Sequence, residues 1–275
     1  MQLLDSLDRF QQKHPSLAVP VAVFQKYRAD QGNDQAAILT YYGFLAIFPL
    51  LLALLSLLEV GLATHPQFRE SIERSALNSF PLLSDTLSRN IEVQSGTWLR
   101  VVGSVLVAVM AGLGIANTTR RMIGDFWGVP AKARRAFPHD LLASLGMLAT
   151  GGSIWIITTV LTQFLVGRGT VWYSLLSLCI NTGLFFLFFR LATPPSIASR
   201  KLLIQTILTG LGWFILQLIG QYLVRHQLRH LSPLYGSFAA VLGLLFWLYL
   251  LARMVLYAIE ADVVVSKKLW PRKLF

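Results

Sequence analysis

Long apolar runs dominate the pattern of this chain. Between residues 141 and 259 there is no aspartate or glutamate, and four runs there also lack lysine and arginine: 141–166, 170–189, 202–224 and 231–252. Two more runs lie upstream, at 35–58 and 101–119. A helix needs about 20 mainly apolar residues to cross a hydrocarbon layer of about 30 Å. Helices of water-soluble folds keep a polar face instead. The pattern therefore predicts an all-α, polytopic integral membrane protein with six transmembrane helices.

The polar stretches between these runs set the predicted organisation. Residues 1–34 form a cytoplasmic or interfacial segment whose apolar residues recur at helical spacing, with Pro15 and Pro20 interrupting the pattern,. A membrane domain follows at 35–265, and a basic cytoplasmic tail at 266–275. The predicted spans cover about 36–62, 99–119, 141–166, 170–190, 202–224 and 235–259,. Residues 65–97 have an apolar stripe of their own and predict an extracytoplasmic cap of amphipathic helices, either structural or a lid over a cavity,.

The charges indicate an orientation. The chain has 24 lysine and arginine residues against 13 acids, a net charge of +11. With the amino terminus inside, about two thirds of the basic residues fall in cytoplasmic segments, as the positive-inside rule requires,. We expect a bacterial cytoplasmic (inner) membrane protein with both termini in the cytoplasm. The first 34 residues contain no signal-peptide core, so the first span is expected to be an uncleaved anchor,. Nucleic acid is not an expected partner, because no base-reading motif accompanies the basic residues.

The residue types argue against an enzyme. Metal-dependent cleavage of phosphodiesters needs clustered acids, whereas most of the acids here lie in the amino-terminal segment or the predicted cap. There is no Gly-x-Ser-x-Gly motif and no nucleotide-binding loop, and the single cysteine, Cys179, lies inside an apolar run,. His226 and His230 have the i, i+4 spacing of a metal pair. Their neighbours Arg225 and Arg229 favour lipid headgroups over a metal ion. We expect no cofactor and no metal.

Charges within the spans are the better functional indication, because burying them in hydrocarbon is costly. Arg253 lies in the last apolar segment, with Tyr249 and Tyr257 one turn to either side and Glu260 seven residues later. Either the guanidinium reaches the cytoplasmic interface along its stem, or it faces a cavity. Both interpretations remain open from the sequence.

The first span contributes the other candidates. Asp34 lies at or near the start of the helix, and Tyr41 and Tyr42 follow one to two turns inside it,. Pro49 removes a backbone donor and predicts a kink. Asp34, Tyr41, Tyr42, Pro49, Arg253 and Glu260 are therefore the candidate site residues, with Arg225 and Arg229 as candidates for lipid headgroups.

Three segments resemble the BrkB/YihY family of bacterial inner-membrane proteins. They are residues 34–52 (DQAAILTYYGFLAIFPLLL), residues 116–128 with the basic pair Arg134-Arg135, and residues 235–249 followed by Glu260. The resemblance covers residues 15–265 approximately and implies a six-helix protein of the inner membrane. Two positions depart from the family pattern: Arg253, where family members are mostly apolar, and Ala258-Ile259, which replace Gly-Ala before Glu260.

The resemblance supplies no catalytic residues to carry over. Some members carry a ribonuclease label, which the placement of the acids in this chain contradicts. We expect a transporter or binder of an amphiphilic or anionic solute, with membrane lipids as partners and a lipid as one candidate solute. The alternatives are a non-transporting scaffold or envelope-integrity protein and, third, a membrane enzyme acting on lipid.

Overall fold

The computed structural model describes residues 15–61, 98–133, 138–165, 171–226 and 236–270. These residues form seven α-helices and two short 3-10 turns, and they contain no β-strand. The helices are α1 (Pro15–Ala29), α2 (Gly32–Gly61), α3 (Trp98–Phe126), α4 (His139–Leu165), α5 (Val171–Ala192), α6 (Leu203–His226) and α7 (Gly236–Ser266). The 3-10 turns are Ala131–Ala133, after α3, and Ser199–Leu202, before α6.

All six apolar runs are helical where the structure describes them, in α2 to α7. Within the described residues, three segments are long and apolar enough to cross a membrane: Val102–Phe126 of α3, Leu175–Ala192 of α5 and Val241–Ser266 of α7. The all-helical fold with apolar, membrane-length helices is confirmed. The count of six spans and the boundaries of the membrane domain stay predictions. The predicted cap at 65–97 lies outside the described residues, as do residues 271–275 of the tail.

Two helices continue beyond the predicted ends of their spans. α3, predicted to end near residue 119, reaches Phe126, and α7, predicted to end near residue 259, reaches Ser266. α3 stops where Gly128 adopts a φ of 62° and the amide of Val129 donates to the carbonyl of Gly124 at 2.8 Å. A residue in the left-handed conformation, followed by a hydrogen bond from the next amide to the carbonyl five residues earlier, is the Schellman motif that ends a helix. These two helices therefore extend past the ends of their apolar runs. Local backbone conformation, rather than the change in hydropathy, sets where they end.

α1 is one continuous helix. Pro15 occupies its first turn, where the missing N–H has no intrahelical partner, and Pro20 lies inside it,. The helix passes through Pro20 without the expected interruption. Ala18 and Ala22 are buried, whereas Phe24 is 51% exposed. Small residues thus form part of the packed face of α1, and a large apolar side chain points away from the protein.

α6 also exposes large apolar side chains, and it buries polar ones, over a longer stretch of helix. Its buried face includes Gln205, Thr206 and Thr209. On its exposed face the described side chains are all aliphatic, and they include Leu203, Ile207, Leu211, Ile215 and Ile219. These sixteen residue steps extend about 24 Å along the helix axis at 1.5 Å per residue. An exposed aliphatic face of that length suits lipid chains, and the polar side chains are left to meet inside the protein.

The contacts divide the chain into two compact units. The first comprises Met1–Leu39, Ala116–Gly220 and Tyr249–Phe275, and the second comprises Thr40–Ile115 and Gln221–Leu248. Fully buried apolar side chains from three helices form the core of the first unit: Ile123, Phe189, Leu256, Ile259 and Val263. In the second unit, α2 and α3 approach closely at Gly43, where a Cβ atom would lie 3.6 Å from Ile115 Cδ1.

A carboxylate on α7 caps the start of α6. The backbone amide of Gln205, in the first turn, donates to Asp262 Oδ2 at 3.2 Å. Amides of a first helical turn have no partner within the helix. The hydroxyl of Ser266 donates to Asp262 Oδ1 at 3.1 Å, which holds the carboxylate in place. Asp262 therefore joins the two helices through a buried, charge-assisted hydrogen bond,.

α5 and α6 approach closely at Gly210. A Cβ atom there would lie 2.4 Å from Thr182 Oγ1 and 3.3 Å from Thr182 Cβ. The Thr182 hydroxyl already donates to the carbonyl of Leu178 at 2.7 Å. At Gly152 of α4, by contrast, a Cβ atom would meet no described atom within 4 Å. The two glycines therefore make a matched pair for testing the packing.

Replacing Gly210 with leucine should destabilise the protein by about 1–3 kcal/mol, because the new side chain overfills the contact with Thr182. Gly152→Leu should change stability far less. The measurement is the thermal midpoint of the purified variants in the same detergent. Equal midpoints for the two variants would contradict the close approach of α5 and α6.

Replacing Asp262 with alanine should cost about 1 kcal/mol, the usual cost of losing a helix cap. Asp262→Asn keeps an acceptor oxygen and should lose less. The local readout is hydrogen exchange of the amides at the start of α6, which should accelerate in Asp262→Ala and not in Ser266→Ala. Unchanged exchange there in Asp262→Ala would show that the carboxylate does not cap the helix.

Candidate functional site

Glu260, one of the candidates from the sequence, is paired with a lysine of α1. Lys26 Nζ lies 2.8 Å from Glu260 Oε2, and the Glu260 side chain has no exposed surface. Lys26 also pairs with Asp30, one turn later, and donates to the carbonyl of Phe126 at 3.3 Å. The buried Glu260 carboxylate is therefore held by its ion pair with Lys26. This pair attaches α1 to the carboxyl-terminal half of α7.

Arg253 lies in a group of three tyrosines, which we call the tyrosine cage: Tyr27, Tyr249 and Tyr257. The guanidinium carbon is 5.7 Å from the ring centres of Tyr249 and Tyr257, within cation–π range,. The Tyr27 ring stacks on that of Tyr257 at 3.8 Å, with an interplanar angle of 12°. Its hydroxyl oxygen accepts from the guanidinium. Arg253 is thus half-buried among aromatic rings rather than in a polar cavity.

The turn between α1 and α2 positions Tyr27. A Cβ atom at Gly32 would lie 2.3 Å from the Tyr27 ring, so a glycine leaves room for the buried aromatic side chain. The Tyr27 hydroxyl donates to Asn33 Oδ1 at 3.2 Å. Burial raises the pKa of Tyr27 above its ordinary value, which keeps the phenol neutral,. Tyr27 thus presents a neutral hydroxyl to the arginine.

The other predicted site residues lie on α2. Asp34 is exposed in the first turn of α2. Tyr41 and Tyr42 are exposed in the second unit and contact each other edge to face at 5.8 Å. Pro49 is half-buried, and α2 continues through it. The two candidates on α7, Arg253 and Glu260, both contact residues of α1.

The two candidates for lipid headgroups are not tested by the structure. Arg225 lies in the last turn of α6, but its side chain is outside the described residues, and Arg229 lies outside them altogether. Their assignment to lipid headgroups stays a prediction.

A separate cavity of about 470 Å³ opens at the carboxyl-terminal end of α3, and we call it the arginine cleft. Two arginines of α3, Arg120 and Arg121, and one acid of α4, Asp140, give its lining a net positive charge. The other lining residues, Asn117, Ala131, Ala192 and Pro194, are neutral. The cleft combines charged and apolar surface, which suits an anionic group attached to an apolar body.

Arg120 is held rigidly at this cleft. One of its terminal nitrogens, Nη1, donates to the carbonyl of Asp140 at 2.7 Å and to Ser144 Oγ at 3.0 Å. The other, Nη2, forms an ion pair with the Asp140 carboxylate. The Ser144 hydroxyl in turn donates to Asn117 Oδ1 at 2.9 Å. The Nε donor of Arg120 is buried without a partner among the described residues. Arg121, the next residue, is exposed.

The sequence interpretation missed these residues as site residues. It treated Lys26, Arg120 and Arg121 only as charges that set the orientation. One signal was available: Asn117, Arg120 and Arg121 follow the apolar run of α3 within about one helical turn, so they share one end of that helix,. No signal in the sequence connects Lys26 with Glu260, because the contact depends on how α1 packs against α7.

The helices, their exposed aliphatic faces and their buried charge pairs define a polytopic α-helical membrane protein. The sequence profile of the family named Virulence factor BrkB matches residues 23–273. The chain therefore belongs to the BrkB family, and the resemblance seen in the sequence is confirmed.

Relatives in other bacteria agree with a membrane location. The chain is 26% identical to the inner membrane protein YhjD of Escherichia coli, over 90% of this chain and 80% of that protein. It is also 26% identical to a UPF0761 membrane protein of Azotobacter vinelandii, over 86% of this chain and 60% of the relative. No solved structure matches the chain. The orientation of the termini stays a prediction.

The pair of Lys26 and Glu260 can be tested by a double-mutant cycle. Lys26→Leu should destabilise by about 3–5 kcal/mol, because it leaves Glu260 buried without a cation. Glu260→Leu should cost less, since Lys26 keeps Asp30. The double variant should cost clearly less than the two single losses together. Unfolding by denaturant in detergent measures all three variants, and strict additivity would mean that the two charges do not interact.

Proposed function

We propose that this protein binds an anionic amphiphile at the arginine cleft and transports it across the membrane. The arginine cleft carries the proposal: it is a cavity lined by two arginines at one end of three helices, two of which contain membrane-length segments. An anionic group would contact the arginines, and the apolar body would lie along the small side chains. A phosphate-bearing lipid or lipid-like solute is the substrate class that this lining favours.

The size of the cleft supports a small-molecule ligand. Its volume of about 470 Å³ lies within the range of about 300–1,000 Å³ that is usual for ligand pockets. A headgroup with the first part of an acyl chain fits this space, whereas a folded protein partner does not. The cleft therefore favours a binder of small amphiphiles over a scaffold.

The hydrogen bonds of Arg120 support recognition of an anion. Asp140 and Ser144 fix the plane of its guanidinium before any ligand arrives, which lowers the entropy cost of binding. Planar guanidinium groups bind carboxylates and phosphates with two parallel hydrogen bonds. Arg121 adds an exposed guanidinium on the neighbouring position of α3. An enzyme acting on lipid would need a reactive group in the cleft, and the acid that lines it, Asp140, is already paired with Arg120.

Binding can be tested with dodecyl phosphate on protein held in phosphatidylcholine discs. Arg121→Gln should weaken binding about ten- to hundredfold, because a charge-assisted hydrogen bond contributes about 1.5–3 kcal/mol. Ala131→Trp should also weaken it by filling the mouth of the cleft. Lys132→Gln is the matched control, since Lys132 is equally exposed nearby but does not line the cleft. Isothermal titration provides the affinities.

Proteoliposomes then separate transport from binding. Protein-dependent movement of a fluorescent anionic lipid between leaflets, reduced by Arg121→Gln and not by Lys132→Gln, is the expected result. Binding without movement would support a lipid-binding scaffold and overturn transport, and hydrolysis of the lipid would support an enzyme. Equal affinity of wild type and Arg121→Gln for dodecyl phosphate would overturn the cleft as the binding site.

A further inference from the structure

Arg253 is a charge without a carboxylate partner in the part of the chain that the structure describes. Lys26 pairs with Asp30 and Glu260, and Arg120 pairs with Asp140. The acids of α7 are already engaged. Glu260 pairs with Lys26, and Asp262 caps α6. Arg253 nevertheless lies within the apolar, membrane-length segment Val241–Ser266.

A guanidinium in an apolar segment gains from a bound anion. Charges among apolar helices are costly unless they are paired or reach water. The aromatic rings of the tyrosine cage and the hydroxyl of Tyr27 offset part of this cost, but they supply no net negative charge. Glu260 is seven residues away on the same helix, which is about 10 Å along the axis. A bound anion would supply a counter-charge that no described carboxylate provides at Arg253.

We propose that Arg253 and the hydroxyl of Tyr257 form a binding site for a phosphate group, supplied by a membrane phospholipid. The half-buried guanidinium retains donors for the phosphate oxygens, since it has five N–H groups in a planar fork. The Tyr257 hydroxyl is a further donor that phosphate accepts. The stack of Tyr27 on Tyr257 fixes the position of this hydroxyl relative to the arginine.

The position of the site favours a lipid over a free phosphate ion. Tyr27 comes from α1, whose Phe24 is exposed, and Arg253 comes from a membrane-length helix. A lipid phosphate bound here would bring α1 and α7 together at the membrane surface. The lining of the arginine cleft includes neither Arg253 nor a tyrosine. This site therefore does not rest on the proposed function.

Native mass spectrometry of the full chain with phosphatidylglycerol tests the site. Arg253→Gln should lower the affinity for the lipid about tenfold, the effect of one lost charge-assisted contact. Arg28→Gln is the matched control: the Arg28 guanidinium also lies near an aromatic ring, 5.8 Å from the centre of Phe24, but it is exposed and has no tyrosine cage. Its substitution should leave the affinity unchanged.

A milder variant separates binding from folding. Tyr257→Phe keeps the stacked ring and removes only the hydroxyl, so it should fold normally and weaken binding about threefold to tenfold,. Unchanged lipid affinity in both Arg253→Gln and Tyr257→Phe would overturn the proposal, as would an equal loss in Arg28→Gln.

A competition arm identifies the source of the phosphate. Inorganic phosphate at millimolar concentration should fail to displace phosphatidylglycerol if the acyl chains contribute to binding. Displacement would overturn the lipid assignment in favour of a soluble anion. Arg121→Gln, measured in the same experiment, should leave the affinity for phosphatidylglycerol unchanged. This result is expected whether or not the arginine cleft binds a substrate.

Discussion

A charged side chain among apolar helices has to meet an opposite charge at short range, because neither lipid nor the apolar interior replaces the water that it loses. In the first unit this requirement determines several helix contacts. Lys26 with Glu260 holds α1 to α7, and Arg120 with Asp140 holds α3 to α4. The amino-terminal helix is therefore a part of the packed structure. It cannot be removed without leaving Glu260 as an isolated buried carboxylate.

The same constraint explains why α1 and α6 expose large apolar side chains and bury small or polar ones. α6 buries Gln205 and Thr209 and exposes aliphatic side chains, and α1 buries alanines and exposes Phe24. In water this arrangement would be unfavourable on both faces. In lipid the exposed face costs nothing, and small or polar side chains provide the contacts between helices. Gly210 against Thr182 is one such contact.

The two arginine sites differ in how their charge is balanced, which suits them to different roles. In the arginine cleft, Asp140 neutralises and orients Arg120, so a ligand meets a prepared and only moderately positive surface. Such a surface can release its ligand again, as a transport step requires. In the tyrosine cage, no carboxylate among the described residues balances Arg253, so a phosphate bound there would be held more persistently. We interpret the first as a substrate site and the second as a structural lipid site.

The sequence alone determined the class of protein, because hydropathy and charge act locally: a run of about 20 apolar residues favours lipid whatever its neighbours do. It also indicated Arg253 and Glu260, since charges stand out against an apolar background. Only the tertiary structure decided what those charges do. Glu260 pairs with Lys26 from the other end of the chain, and Arg253 meets Tyr27 from α1. The sequence pattern predicted an interruption of α1 at Pro20, which the structure does not show. No sequence pattern predicted a cleft between three helices. Pairing and cavities depend on how distant helices pack, and helical periodicity does not encode that.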